Sequence, residues 1–232
     1  MATFLLEIGT EEMPADFSRS VVAQLQEKVC ADFSELRIKY SEIKCSSTPR
    51  RFFLLVNQLS DVAEDCIEER KGPPSELAFK NGIPTQAAIG FAKRCGLGPE
   101  QLEIRETPKG KFVFAKIIES GKPVSDLLIQ LVPKWIGEIQ GTRFMRWGIG
   151  ERRFVRPVRW IVCLLDNEIV PVILNGCDPQ ISAGRISRGH RLYRDSLTIS
   201  SASEYYSVMK KSGVQVDREV RKSFIKSSIE EV

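Results

Sequence analysis

The chain has 232 residues with 42% hydrophobic and 28% charged side chains, an ordinary balance for a folded globular protein with a sizeable core. The longest apolar run, Trp160–Leu165, is far shorter than the roughly 20 residues of a membrane span, and the single histidine excludes sites that need two histidines. The six cysteines form no CxxC pair, and the N-terminus has no signal-peptide pattern, so we expect reduced thiols, no structural metal, no membrane contact and a cytoplasmic protein.

The N-terminal half predicts a strand, a long helix and then several short elements. Thr3–Gly9 is an apolar strand in which Glu7 is an anomaly, so Glu7 is either an edge residue or reaches a basic partner. Apolar residues every four positions from Phe17 to Phe33 predict an amphipathic helix over residues 14–36. Helices are predicted at Thr85–Cys95 and Ser125–Ile139, and further strands at Glu42–Cys45, Arg51–Leu59, Cys66–Lys71, Gln101–Glu106 and Lys111–Glu119. The last two strands are predicted to form a hairpin around the turn residues Thr107–Gly110.

The C-terminal half predicts a central strand over Arg153–Leu165, a paired strand at Ile169–Leu174 and two terminal helices. The helices begin at Ser201 and Asp217, with a short strand at Val214–Val216 between them. This irregular mixture predicts an α+β fold with a mixed, mostly antiparallel sheet, hairpins and packed amphipathic helices. We expect one domain over residues 1–200 and a helical connection over residues 201–232 that leads to later domains.

Positive charge is concentrated in one segment. Residues 141–194 carry ten Lys and Arg against four Asp and Glu, a charge of +6, so the net charge of +4 leaves −2 on the rest of the chain. A basic segment on a nearly neutral body indicates a directed partner.

Within this segment, Gly141–Trp160 interleaves arginine with aromatic side chains. This composition suits a nucleic-acid backbone, which arginine binds through its planar fork while aromatic rings stack on bases. It equally suits arginines that pair with acidic residues or solvate a sheet face, and the sequence leaves both interpretations open.

Two shorter basic motifs have alternatives of their own. Ser187–Arg191 (SRGHR) is either a backbone that approaches an RNA phosphate at Gly189, or a bulge beside an interior His190. Thr48–Arg51 (TPRR) is interpreted as a solvated turn whose arginines cover apolar surface with their stems.

Nothing in the chain predicts catalysis by its own residues. Gly148–Arg152 is superficially like a glycine-rich ATP motif of class II aminoacyl-tRNA synthetases, but the other two motifs of that fold are missing, and a turn explains the glycines. There is no P-loop and no GxGxxG after a strand, and no nucleophile motif lies near His190.

Seven stretches taken in order resemble the N-terminal part of the beta subunit of bacterial-type glycyl-tRNA synthetase. They are FLLEIGTEEMPA at Phe4–Ala15, TPRRFFLLV at Thr48–Val56, GPP at Gly72–Pro74, AAIGFAKRCGL at Ala87–Leu97, MRWG at Met145–Gly148, RFVRPVRWIVCLLD at Arg153–Asp166 and SRGHR at Ser187–Arg191. The family usually has threonine where this chain has Ser187, which is a mild departure. We also expect likeness to the B3/B4 module of the phenylalanine enzyme's beta subunit, as fold analogy only.

The resemblance implies an enzyme with two kinds of subunit, two alpha and two beta. The alpha subunit would use ATP with magnesium to join glycine to tRNA(Gly), and the beta subunit would bind the tRNA and assemble with alpha without adenylating glycine. We therefore expect no cofactor, metal or catalytic residue in this chain. The expected contacts to tRNA phosphates are six arginines: Arg143, Arg146, Arg156, Arg159, Arg188 and Arg191.

Two alternatives stay open. In the first, the chain is chiefly an assembly scaffold whose arginines pair with acidic residues in other parts of the enzyme. In the second, it is an editing-type hydrolase.

Overall fold

The computed structural model describes residues 1–80, 82–108, 110–192 and 196–230. Arg194 of the basic segment and the last two residues of the predicted 201–232 connection lie outside the described residues. The chain folds into two compact units, one built from residues 1–63 and 122–232 and the other from residues 64–121. The predicted division at residue 200 coincides with neither boundary.

The elements follow in chain order. The first are β1 (Ala2–Thr10), α1 (Ala15–Glu35), β2 (Glu42–Thr48) and β3 (Arg51–Leu59). The second unit contributes β4 (Cys66–Pro74), α2 (Ser75–Ala78), β5 (Phe79–Lys80), β6 (Ile83–Pro84), α3 (Gln86–Arg94), β7 (Leu102–Thr107) and β8 (Gly110–Glu119). The chain then forms α4 (Val124–Glu138), β9 (Val158–Leu165), β10 (Glu168–Ile169), β11 (Ile173–Leu174), β12 (Ile181–Gly184), β13 (Ile186–Arg188), β14 (Ser196–Thr198), α5 (Tyr205–Lys211) and α6 (Arg218–Glu230).

The first unit is organised around a sheet of order β11-β12-β9-β1-β3-β2, with β10 paired to β9. Its centre is antiparallel, because β1 runs opposite to both β3 and β9, while β12 lies parallel to β9. The register places Glu7 between Phe53 and Val162, and it places Gly9 between Arg51 and Trp160. These pairings confirm the predicted mixed, mostly antiparallel α+β fold.

Helices cover both faces of the sheet. Since side chains alternate along a strand, Phe4, Leu6 and Ile8 of β1 pack into the core formed with α1 and α4. Leu5 points to the other face, where Tyr205 and other α5 residues form a second core. Glu7 has the same parity as Leu5, so the register places its carboxylate on the α5 face.

The second unit is a smaller sheet of order β4-β8-β7 with its own apolar core. Val113 and Ala115 of β8 pack there against Phe91 of α3. Its hairpin β7–β8 and helix α3 confirm the prediction for these segments. None of the helices in the described part of the chain is long and apolar enough to cross a membrane.

Three predicted elements differ from the structure. The predicted strand over Arg153–Leu165 becomes a strand only at Val158, directly after Pro157, which has no N–H for the ladder. The predicted strand Ile169–Leu174 is divided into β10 and β11 around Pro171 for the same reason. Residues 214–216 form no strand, although Val216 is buried in the core beneath α5.

Candidate anion-binding cleft

A fully buried carboxylate lies at the end of the sheet. Glu7 has 0% of its surface exposed, yet four side chains donate to it. Trp160 Nε1 and Ser187 Oγ each lie 2.5 Å from Oε1, while Tyr205 Oη lies 2.5 Å and Arg51 Nη1 3.3 Å from Oε2. Burying an ion is tolerated only when it is paired and hydrogen-bonded, and both conditions are met here.

Gly9 makes this arrangement sterically feasible. A Cβ on Gly9 would lie 1.9 Å from Cε2 of Trp160, so only glycine lets the indole lie across β1 and reach Glu7. The guanidinium groups of Arg51 and Arg188 lie over the same indole, with their Cζ atoms 5.4 and 5.0 Å from the ring centroid. Cation–π attraction therefore holds both arginines at this end of the sheet.

The network joins β1, β3, β9, β13 and α5 through one side chain each. Burial, followed by the charge of Glu7, raises the pKa of Tyr205 well above its usual value, so Tyr205 stays a neutral donor. Ser187 is also fully buried, so its hydroxyl is not accessible as a nucleophile. The network therefore has a structural role, because it holds in place the strand ends that carry the basic motifs.

Those motifs line a cleft of about 420 Å³ in the first unit. Its walls are residues 48–51, residues 189–191 and residues 213–215, together with Glu12 and Arg221. The cleft thus brings together the motifs TPRR and SRGHR, which are about 140 positions apart in the sequence.

Positive charge dominates the lining. Arg50, Arg51, Arg191 and Arg221 face a single acidic lining residue, Glu12. The side chain of Arg50 is half-buried and makes no hydrogen bond or ion pair with any described residue. Several guanidinium groups at one concave surface can bind an anion that accepts several charge-assisted hydrogen bonds.

Arg221 is tied to the cleft wall by its own hydrogen bonds. Its Nη1 donates to the carbonyl of Gln215 at 2.7 Å and its Nη2 to the carbonyl of Ser47 at 3.1 Å. Burial, and then the neighbouring charge of Arg218, lower the pKa of Arg221. The neighbouring charge of Asp217 acts in the opposite direction and raises that pKa, so burial is the main cause of the shift.

Gly189 allows the SRGHR segment to lie close to the end of α5. A Cβ at Gly189 would be 3.3 Å from both Cβ and the carbonyl oxygen of Ser212, tighter than ordinary contact. His190 N donates to that same carbonyl at 3.1 Å. Gly213 follows with φ +73°, in the left-handed region that favours glycine. The two glycines therefore shape this wall of the cleft.

Three of the six predicted arginines precede β9. Arg143 and Arg146 are exposed, line no part of the cleft, and their side chains pair with no described residue. Arg156 is half-buried, and its Nη1 donates to the neighbouring carbonyl of Val155 at 2.7 Å.

Two of the other three are ion-paired. Arg159 pairs with Glu11, and Arg191 pairs with Glu12 at 3.2 Å, and both pairs are substantially exposed. Exposed pairs of this kind contribute only about 0–1 kcal/mol, so each arginine can exchange its partner for another anion. The sixth, Arg188, lies over Trp160, and Arg191 is the member of the set that lines the cleft.

Two interpretations of the basic motifs are wrong. The TPRR motif is not simply a solvated turn, because Arg51 is 2% exposed and bonded to Glu7. His190 is not an interior histidine, because it is exposed and lines the cleft. Among the described residues, no group of three or more His, Cys, Asp or Glu side chains is placed to hold a metal ion.

Sequence reasoning missed Arg50, Arg51 and Arg221 as lining residues and Tyr205 as a partner of Glu7. The available signal was Glu7, a charged residue inside an apolar strand. Its second interpretation, that it reaches a basic partner, is confirmed by Arg51.

Comparisons with known proteins all give the same family, over nearly the whole chain. A family model described as glycyl-tRNA synthetase beta subunit matches residues 4–232. Three curated relatives carry the name glycine–tRNA ligase beta subunit, from Acaryochloris marina, Synechocystis sp. and Trichodesmium erythraeum. They are 43%, 42% and 44% identical over 230 residues, which is 99% of this chain. The chain spans 32% of the length of each of these relatives.

Proposed function

The chain belongs to the glycyl-tRNA synthetase beta subunit family, and from that premise we propose that it is the tRNA-binding part of a subunit that does not adenylate glycine. The reaction, in which ATP with magnesium activates glycine for transfer to tRNA(Gly), belongs to a partner alpha subunit. The assembly has two alpha and two beta subunits and works in the cytoplasm.

One observation carries the proposal. The first unit presents arginines from three separate segments, the loop before β9, the start of β9 and the SRGHR motif, on a chain with few competing acids in that region. Phosphate contacts give nucleic-acid affinity that is strong, salt-dependent and largely independent of sequence. The six arginines Arg143, Arg146, Arg156, Arg159, Arg188 and Arg191 are the proposed contacts.

The arginines have different tasks in this proposal. Arg143 and Arg146, whose side chains pair with no described residue, are available to phosphates without breaking an existing contact. Arg159 and Arg191 exchange exposed glutamate partners for phosphate oxygens. Arg188 keeps its contact with Trp160 while its fork remains exposed.

The test is tRNA binding at two salt concentrations, for the wild type and for the double variant Arg143→Ala/Arg146→Ala. Removing two phosphate contacts is expected to weaken binding about tenfold or more at low salt and to reduce the slope of log K against log salt by roughly 1–2. The matched control is Arg70→Ala/Arg105→Ala, which removes the same charge from arginines held by glutamates in the second unit.

If the control variant weakens tRNA binding as much as the test variant, the loss of affinity comes from net charge alone and not from contacts made by Arg143 and Arg146. A folded protein that binds no tRNA but still associates with an alpha subunit would contradict the proposal and assign these arginines to assembly.

A further inference from the structure

The cleft has an excess of positive charge that its own contacts do not neutralise. Its four arginines face Glu12 in the lining and Glu7 directly beneath Arg51. Asp217 and Arg218, whose opposite charges both act on Arg221, offset each other, so two carboxylates against four guanidinium groups leave an excess of two positive charges. A phosphodiester carries one negative charge, whereas a phosphate monoester carries about 1.5–2 at pH 7. The charge excess therefore matches a monoester better than a backbone linkage.

A buried hydrogen-bond donor in the lining, Nε of Arg51, also supports a bound anion. Arg51 is 2% exposed, and its Nε has no hydrogen-bond partner among the described residues. A buried N–H without an acceptor typically costs about 1–3 kcal/mol, so such groups usually have an explanation. The Nη1 of the same guanidinium already donates to Glu7 and Ser187, which fixes the group in place. An anion seated against Arg51 would supply an acceptor.

The size and the walls of the cleft suit a terminal group that inserts. A cleft of about 420 Å³ exceeds a bare phosphate and lies in the range of pockets that hold a small molecule or a single nucleotide. Pro49 and Val214 give it an apolar side, and Gly189 and Gly213 leave its backbone without side-chain bulk. Arg50 and Arg191 line the cleft from two different segments, and their forked guanidinium groups can donate to an inserted anion.

We propose that this cleft binds a phosphate monoester, and that the group it takes is the 5′-terminal phosphate of an RNA. The linkages within an RNA chain are diesters, so a monoester marks an end. Arg50 and Arg191 donate to its outer oxygens, Arg221 supplies charge from the wall, and Arg51 forms the buried base of the site. The choice of RNA as the source of the phosphate rests on the proposed function, whereas the monoester chemistry rests on the cleft itself.

The test compares two RNA duplexes that differ only in carrying a 5′-phosphate or a 5′-hydroxyl at the acceptor end. The complete protein is expected to bind the phosphorylated duplex about tenfold more tightly. Arg50→Ala is expected to reduce this preference to about twofold or less, and Arg191→Ala is expected to do the same. The Arg50 side chain makes no hydrogen bond or ion pair with a described residue, so its variant retains the fold.

Two controls separate the cleft from general electrostatics. Arg94→Ala removes the same charge from an arginine of α3 whose Nε donates to the carbonyl of Gly90, and it is expected to keep the full 5′-phosphate preference. Arg143→Ala is expected to weaken binding of both duplexes equally, because it removes a diester contact. Equal affinity of the wild type for the two duplexes, with binding otherwise salt-dependent, overturns the cleft proposal and leaves the proposed function intact.

A separate arm tests the monoester chemistry without RNA. Inorganic phosphate is expected to raise the melting temperature of the wild type, through linkage, and to raise that of Arg50→Ala much less. If no RNA binds, the proposed function and the RNA source both fail, and this arm decides whether the cleft is a phosphate site. Absence of stabilisation by phosphate in the wild type overturns the monoester site itself. Tight binding of free phosphate or a mononucleotide, with no preference between duplexes, assigns the source to a small molecule and overturns the RNA 5′ end.

Discussion

The Glu7–Arg51 pair provides the sharpest test of how the sheet end is held together. Both side chains are buried, with 0% and 3% of their surfaces exposed, and Arg51 is the one cation among the four donors to Glu7. Glu7→Gln keeps the shape of the side chain but replaces one acceptor oxygen with an NH₂ group. Tyr205 can accept from that group by rotating its hydroxyl, but Arg51 has no lone pair to accept with. The substitution therefore leaves the guanidinium buried and uncompensated.

The expected cost follows from the burial of the pair. Removing one partner of a buried ion pair typically destabilises a protein by about 3–5 kcal/mol, because the remaining charge has neither water nor a counter-ion. In a unit of this size, 1 kcal/mol corresponds to about 2–4 °C, so we expect Glu7→Gln to lower the melting temperature by about 6–20 °C. Arg51→Met leaves Glu7 with its three neutral donors and is expected to cost somewhat less.

The double variant isolates the interaction from other effects. Glu7→Gln/Arg51→Met removes both charges and keeps side chains of similar volume, so its loss of stability is expected to be at least about 2 kcal/mol smaller than the sum of the two single losses. All three tryptophans, Trp135, Trp147 and Trp160, belong to the first unit, so urea unfolding followed by tryptophan fluorescence reports on that unit. Additive losses, or a Glu7→Gln variant within about 0.5 kcal/mol of the wild type, would refute the reasoning.

Three further predictions concern neighbouring features. Gly9→Ala places a Cβ 1.9 Å from the Trp160 ring and is expected to cost about 3 kcal/mol or more by urea unfolding, whereas Gly184→Ala, which meets nothing within 4 Å, is expected to cost less than about 1 kcal/mol. Burial raises the pKa of Tyr206 from 10.0 to about 12, so its contribution to stability is fully present below pH 10 and is lost as the pH rises towards 12. Unfolding measured across that window is expected to show a shallower loss in Tyr206→Phe than in the wild type, and parallel curves would contradict the assignment. Arg159→Ala removes an exposed ion pair and is expected to change the free energy of unfolding by less than about 1 kcal/mol, so a larger loss would show that this arginine has a structural role.

Local patterns determined most elements of the fold. Apolar residues every four positions predicted α1, and its observed bounds, Ala15–Glu35, differ from the prediction by one residue at each end. The turn residues between β7 and β8 predicted that hairpin, because the turn and the strands it joins are adjacent in the sequence. At Pro157 and Pro171 the apolar pattern predicted strands that are longer than the observed ones. The pattern reflects side-chain polarity only, whereas a strand also needs backbone N–H donors, which proline lacks.

The sequence by itself determined the fold class, the family resemblance and the presence of a basic segment, because these depend on residue types and on neighbours along the chain. It did not determine which charges are neutralised. The pairs Arg51–Glu7, Arg159–Glu11 and Arg191–Glu12 join residues that are 44, 148 and 179 positions apart, so they depend on how the strands and their flanking segments are arranged in space. Two motifs became one cleft for the same reason, since the fold brings Arg51 at the start of β3 within hydrogen-bond distance of Ser187 in β13. Only the tertiary structure decides such pairings, because Coulomb and hydrogen-bond energies depend on distances in space that sequence separation does not encode.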